Sequence, residues 1–253
     1  MNVLVVNAGS STLKYQVIDT KSHKVSAKGS CERVCFTGGT FTHAANGSKK
    51  VTENIEFPDH KVAIEVVLKD LEANGVKIEG IGHRIVQGGW YFDDSAVVDD
   101  EVMAKILEVA PLAPLHNYGE AAAIEYCREK YPELPNVAVF DTSFHMTMPE
   151  VAYTYALPKD VCDKYHVRKY GAHGTSHRYE WMMAKEILGS RCHRLLSCHL
   201  GNGASLAAIE DGVCRDTTMG LTPLDGLMMG TRCGSIDPAT VCYLQREGGY
   251  SYQ

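Results

Sequence analysis

Apolar and polar positions alternate along the first quarter of the chain in a way that predicts strands. Val3 to Val6 is a short valine-rich run that reads as a buried strand. Small and polar residues from Asn7 to Ser11 make a turn, and an extended pattern resumes from Leu13 to Ile18. Further strands are predicted over 24–35, 41–44 and 51–57, with Asn46-Gly47 as a hairpin turn between the last two. The period changes near His60: Val62, Ile64, Val66, Val67 and Leu71 fit one helical face, which ends at Asn74-Gly75. A strand over 78–86 runs into Gly88-Gly89. Helices are predicted over 101–109, 118–130 and 179–188, and a strand over 136–140 delivers Asp141 at its end. A second strand, loop, strand pattern covers 195–200 and 204–209. A last helix starts at Asp237-Pro238, with the aspartate as N-cap and proline at the first helical position.

The two strand, loop, strand segments lie over one another. Leu4 and Leu196, Gly9 and Gly201, and Asp19 and Asp211 fall in step, and both segments put a small-residue turn between strands. In an α/β chain this predicts a duplicated fold with a cleft between halves. The plain alternative is that hairpins with glycine turns are common.

Composition narrows the class. The chain has 253 residues, 45% hydrophobic and 22% charged, ordinary for a globular protein and enough for one large domain or two smaller ones. A net charge of -6 provides no basic field for nucleic acid or an anionic membrane. No run of about 20 apolar residues predicts a membrane span. The start MNVLVVNAG lacks the pattern of an export signal, so the nine cysteines read as reduced, buried thiols in the cytoplasm. The Asn46-Gly47-Ser48 sequon reads as a turn.

A phosphate cradle needs converging backbone N–H groups and small residues. The loop from Asn7 to Thr12, with Ser10, Thr12 and Lys14, satisfies that requirement. So does His199-Leu200-Gly201-Asn202-Gly203. No Walker-type P-loop is present. Arg84 and Arg232 each sit in a glycine-lined loop after apolar residues. There a planar guanidinium either binds carboxylate or phosphoryl oxygens or pairs with a core carboxylate. Asp141 follows a strand end, where ligands gather in α/β folds. It could position Mg2+ and the surroundings of an attacking carboxylate, or serve as a turn or N-cap aspartate. His173 and His177 are spaced i, i+4, but Gly174 and the missing glutamate argue against a zincin. A histidine donating to developing charge fits His173, and His177 reads as structural.

In order along the chain, NAGSSTLKYQVID, GHRIVQGG, APLAPLHN, VFDTSFHMTMP, YGAHGTSH, HLGNGASLAAI and TTMGLTPLDGLMMGTRCGSIDP resemble the signatures of the acetate kinases, from Val3 to Pro238. Propionate kinases share much of this pattern and are the alternative. The resemblance implies an α/β, actin-like ATPase (ribonuclease H-like) fold: duplicated mixed β-sheet domains flanked by helices, with the nucleotide between them. It places an N-terminal domain over 1–148 and an incomplete nucleotide-binding domain over 149–253. It implies phosphoryl transfer from ATP to acetate by direct in-line attack, with Mg2+ (Mn2+ as a substitute). Asn7 would help bind the metal. Ser10, Thr12 and Lys14, and His199, Leu200, Gly201, Asn202 and Gly203, would face the ATP phosphates. Arg84, with Val86, Leu115 and Pro223, would hold the acyl substrate. Asp141, His173 and Arg232 would be catalytic. The family also implies a cytoplasmic homodimer acting on small carboxylates rather than on nucleic acid or membranes. Acetate kinases are longer than this chain, which implies missing adenine-binding segments and an impaired or purely nucleotide-binding fragment. Ala172 stands where some members have phenylalanine, which implies a roomier acyl pocket.

Overall fold

The computed structural model describes residues 1–45 and 47–251. Asn46, and with it part of the predicted turn and sequon, lies outside the described residues, as do Tyr252 and Gln253. The chain divides into two compact units, Met1–Phe144 and His145–Gln253.

The first unit runs β1 (Asn2–Ala8), β2 (Thr12–Asp19), β3 (Val25–Glu32), β4 (Gly39–Ala45), β5 (Ser48–Ile55), α1 (His60–Ala73), β6 (Gly80–Ile85), β7 (Ala96–Val97), α2 (Asp100–Glu108), α3 (Asn117–Lys130) and β8 (Asn136–Phe140). Its strands form one eight-stranded mixed sheet in the order β5-β4-β3-β2-β1-β6-β8-β7. β1 to β5 are an antiparallel meander, whereas β1, β6 and β8 are parallel neighbours. The valine-rich run forms β1, with Leu4 and Val6 buried on one face. The predicted hairpin pairs Ala45 with Ser48, and Gly47 has φ +79°, a value that suits glycine. Asp59 caps α1 by accepting from the Val62 N–H at 2.8 Å. The helical stripe Ile64, Val67 and Leu71 then packs with Leu4, Leu13, Val17 and Ile81 in the core. Each such side chain contributes about 1.5–3 kcal/mol on burial.

The second unit runs α4 (Glu150–Tyr153), α5 (Lys159–Tyr165), α6 (Gly174–Leu188), β9 (Arg194–Leu200), β10 (Ala204–Glu210), β11 (Val213–Thr217) and α7 (Ala239–Gly248). Among the described residues its strands form a three-stranded antiparallel sheet, β11-β10-β9. The resemblance between the two segments survives as geometry, because β1–β2 and β9–β10 are both antiparallel hairpins around a small-residue loop. The register differs by one: Ala8 pairs with Leu13, but Leu200 pairs with Ala204, so the second loop is one residue shorter.

Three expectations need correction. The helix predicted over 179–188 starts at Gly174, because the turn of glycine, threonine and serine there hides the periodicity. The last helix starts one residue later than predicted. Pro238 is its N-cap, and the Asp237 carboxylate accepts from the Ala239 N–H at 2.9 Å. The cysteines are all free thiols but not all buried: Cys31, Cys127, Cys192 and Cys214 are buried, whereas Cys35, Cys198, Cys233 and Cys242 are exposed.

Candidate functional site

Parallel strands place their C-terminal ends side by side, and in the first unit three such ends carry polar groups. β1 contributes Asn7, β6 contributes Arg84, and Asp141 directly follows β8. The Asp141 N–H continues the ladder by donating to the Ile85 carbonyl at 2.8 Å. Arg84 lies on the middle strand and reaches both neighbours. Its Nε and Nη2 donate to Asp141 Oδ2 at 3.0 and 2.6 Å, and its Nη1 donates to Asn7 Oδ1 at 3.0 Å. Burial works against the guanidinium charge, but the adjacent Asp141 carboxylate outweighs it and raises the Arg84 pKa. Both readings of Arg84 from sequence thus bear on one residue. It pairs with a buried carboxylate, and three of its five N–H donors are used in doing so.

Glu120, on α3, went unremarked in the sequence. It is 2% exposed. Its Oε2 accepts from the Val86 N–H at 3.0 Å, and its Oε1 has no partner among the described residues. Burial pushes its pKa up to about 8. The Val86 N–H and the Arg84 charge pull the other way, and Asp141 adds to the rise. Asn117 holds the same loop by accepting from Gln87 N–H at 3.2 Å and donating to Gln87 O at 2.8 Å. Val86 is therefore buried and fixed, whereas Leu115 is 74% exposed.

The first small-residue loop is tight. Gly9 N–H donates to Thr12 O at 2.7 Å, and a Cβ on Gly9 would lie 3.1 Å from Thr12 Oγ1. His60 Nε2 donates to the Gly9 carbonyl at 2.6 Å, a tether that no sequence pattern announced. Ser10 is exposed. Lys14 pairs with Asn7 across the β1–β2 ladder, and both line a groove of about 690 Å³ with Lys28 and Lys49. The groove therefore carries positive charge.

In the second unit, His173 is the N-cap of α6 and holds a left-handed backbone, φ 58°. Such a conformation in a non-glycine residue costs energy and tends to occur at functional positions. His199 stacks on His173 with ring centroids 4.0 Å apart, and its Nδ1 meets Ser176 Oγ at 2.9 Å. Gly203 shows how closely the remaining groups approach. A Cβ there would lie 3.1 Å from Arg232 Nη2 and 3.4 Å from His173 Nε2. His173, Arg232 and the loop from Leu200 to Gly203 therefore meet at one place, where a side chain on residue 203 would intrude. Pro223 belongs to this cluster through its backbone, since its carbonyl accepts from Arg232 Nη1 at 2.6 Å.

Hard cations such as Mg2+ take one or two protein oxygens, with phosphates and water completing the shell. Asn7 and Asp141 offer a neutral and an anionic oxygen side by side, a donor set that suits this use. His145 is occupied otherwise: its Nε2 donates to the Ala172 carbonyl at 2.9 Å and its Nδ1 meets Cys214 Sγ at 3.1 Å.

Comparison with known proteins bears on the family and the fold. The family model described as the Acetokinase family matches residues 2–253. The acetate kinase of Clostridium novyi is 49% identical over 99% of this chain and 65% of its own length. That of Thermotoga maritima is 47% identical over 100% and 65% respectively. Among solved structures, a propionate kinase from Francisella tularensis superposes with a TM-score of 0.93 at 41% identity, covering 99% of this chain and 65% of that one. The Porphyromonas gingivalis acetate kinase superposes with a TM-score of 0.90 at 42% identity, covering 99% and 65%. The chain thus spans about 65% of the length of these relatives. These matches, together with the signatures that carry Asn7, Arg84, Asp141, His173 and Arg232, show that the chain belongs to the acetokinase family.

Proposed function

We propose that the chain carries the phosphoryl-transfer chemistry of an ATP-dependent acetate kinase, which forms acetyl phosphate and ADP reversibly. The observation that carries the reading is the Arg84 fork, held by Asp141 and Asn7 at the ends of three parallel strands. A carboxylate nucleophile has no proton to lose, so the site needs fixed positive charge rather than a base. In phosphoryl transfer, charge spreads over the equatorial oxygens of a metaphosphate-like group. Arg84 binds the acyl carboxylate with its remaining donors, oriented by Asp141. Val86 and Leu115 supply an apolar wall for the acyl chain, and Pro223 holds Arg232 through its carbonyl. Arg232 and a protonated His173 donate to the transferring group, and the loop from His199 to Gly203 in the same unit holds phosphate; Ser10, Thr12 and Lys14 of the first unit bind phosphate as well. Mg2+, held through Asn7 and Asp141, would neutralise charge on the phosphates.

Propionate is the second reading, supported by the similarity to the Francisella propionate kinase and by the small, buried Ala172. The reading extends to a cytoplasmic enzyme that works as a homodimer. Apolar side chains exposed on α7, Val241, Tyr243 and Leu244, are consistent with a partner there. Among the described residues no helix is long and apolar enough to cross a membrane. The test is phosphorus NMR of the protein with ATP, Mg2+ and acetate or propionate. An acyl phosphate resonance supports the reading, and the faster substrate decides between the two acids. ATP hydrolysis to free phosphate with either acid would overturn it.

A further inference from the structure

His173 does not stand alone in the second unit. Its Nδ1 meets Ser205 Oγ at 2.9 Å, and the same oxygen meets His177 Nε2 at 2.9 Å. His177 Nδ1 meets Ser197 Oγ at 2.5 Å, and the Ser197 hydroxyl donates to the Glu180 carboxylate. The file therefore runs from His173 through Ser205, His177 and Ser197 to Glu180. Its middle is dry, with Ser205 and His177 at 0% exposure and Ser197 at 2%. The fold aligns it simply: His173, His177 and Glu180 succeed one another along α6, and Ser197 and Ser205 come from the paired strands β9 and β10.

The end of the file sets the direction of every proton in it. A carboxylate can only accept, so the single Ser197 proton points at Glu180. Ser197 Oγ must then accept from His177 Nδ1–H. A neutral His177 is left with Nε2 as an acceptor, which takes the Ser205 proton. Ser205 Oγ in turn accepts from His173 Nδ1–H. The neutral ring of His173 is thereby fixed as the Nδ1–H tautomer, with Nε2 as its basic atom. The ring edge of Nε2 and Cε1 is the one that approaches Gly203, on the side where Arg232 lies.

We infer that Glu180, Ser197, His177 and Ser205 are positioning residues that fix the tautomer of His173 and balance its charge when Nε2 takes a proton. The wiring stands on the hydrogen bonds alone; its use in phosphoryl transfer rests on the kinase reading. Titratable or charged groups near the file include His199, stacked on His173 and edge-on to His177 at 6.3 Å, Arg232 beside Gly203, and His145, edge-on to His177 at 5.8 Å.

The test is nitrogen-15 NMR of the histidine-labelled protein, with the His173 signals assigned by His173→Gln. The neutral His173 ring is expected as Nδ1–H, whereas free imidazole side chains favour Nε2–H. Ser205→Ala cuts the file at its first link, and Ser197→Ala cuts it where neither His173 nor ATP is touched. Both should move His173 toward Nε2–H. Glu180→Gln, at a half-buried position, removes the charge and should lower the His173 pKa. An Nε2–H tautomer in the unaltered protein overturns the inference, as does an Nδ1–H tautomer unmoved by both serine substitutions. An unmoved pKa in Glu180→Gln removes the charge-balancing role. These readings need no turnover, so the inference and the kinase reading can fail separately. Where acyl phosphate is formed, Ser197→Ala should lower kcat with KM unchanged.

Discussion

Glu120→Gln isolates the energetic cost of a buried carboxyl beside the Arg84 cluster. Burial raises the Glu120 pKa from 4.5 to about 8. Between those values the native protein holds a proton that the unfolded chain has released, so stability falls as pH rises through the window. Below it, both states are protonated and nothing is lost; above about pH 8 the cost is complete. A unit of pKa is worth about 1.4 kcal/mol, so the complete cost is about 5 kcal/mol. Glutamine keeps the oxygen that accepts from the Val86 N–H and cannot ionise. Thermal melts of both proteins at pH 5 and pH 8.5, following the transition of the first unit, measure the difference. Near-equal midpoints are expected at pH 5. At pH 8.5 the glutamine protein should melt roughly 10–20 °C higher. Midpoints that move in parallel across the range would refute the reasoning, because Glu120 would then titrate as if exposed.

Other perturbations test neighbouring parts. His83 is buried against Asn136 Oδ1 at 2.8 Å, and burial lowers its pKa to about 4. The unfolded chain binds that proton first as pH falls, so stability should drop by about 3 kcal/mol from pH 6.5 to 4. His83→Gln should flatten this acid limb in denaturant titrations. Gly203→Ala puts a methyl 3.1 Å from the Arg232 guanidinium without needing a positive φ. Acyl phosphate formation should fall while the melting temperature stays within a few degrees. Arg84→Lys loses the fork that bridges Asp141 and Asn7. It should raise the KM for the carboxylate and lower kcat, and kinetics matching the unaltered protein would show that a point charge suffices.

The strands and helices that build the Arg84 cluster could be read from sequence because their signals are local. Valine runs, the Asn74-Gly75 stop and the 136–140 strand each specify one element. The adjacency of Asn7, Arg84 and Asp141 could not be read that way, because it depends on the strand order β1-β6-β8. Glu120 was hidden for a related reason: a glutamate in a helix of mixed composition looks solvated until α3 is packed against β6. Ser197 and Ser205 lie in strands whose pattern marks only alternation, and their role appears when α6 places His177 between them. Pro223 was expected to serve through its ring. Its carbonyl, which holds Arg232, has no sequence signature at all.

The central proposal is that the chain transfers a phosphoryl group to a carboxylate and needs both Arg84 and Arg232 to do so. Trapping the acyl phosphate with hydroxylamine tests it most directly, with Arg84→Ala and Arg232→Ala assayed beside the unaltered protein. A hydroxamate that requires both ATP and the carboxylate is expected. It should fall by about 10²–10³-fold in each variant, with ATP binding nearly unchanged in Arg232→Ala. Hydroxamate that survives both substitutions, or none from the unaltered protein, would contradict the account.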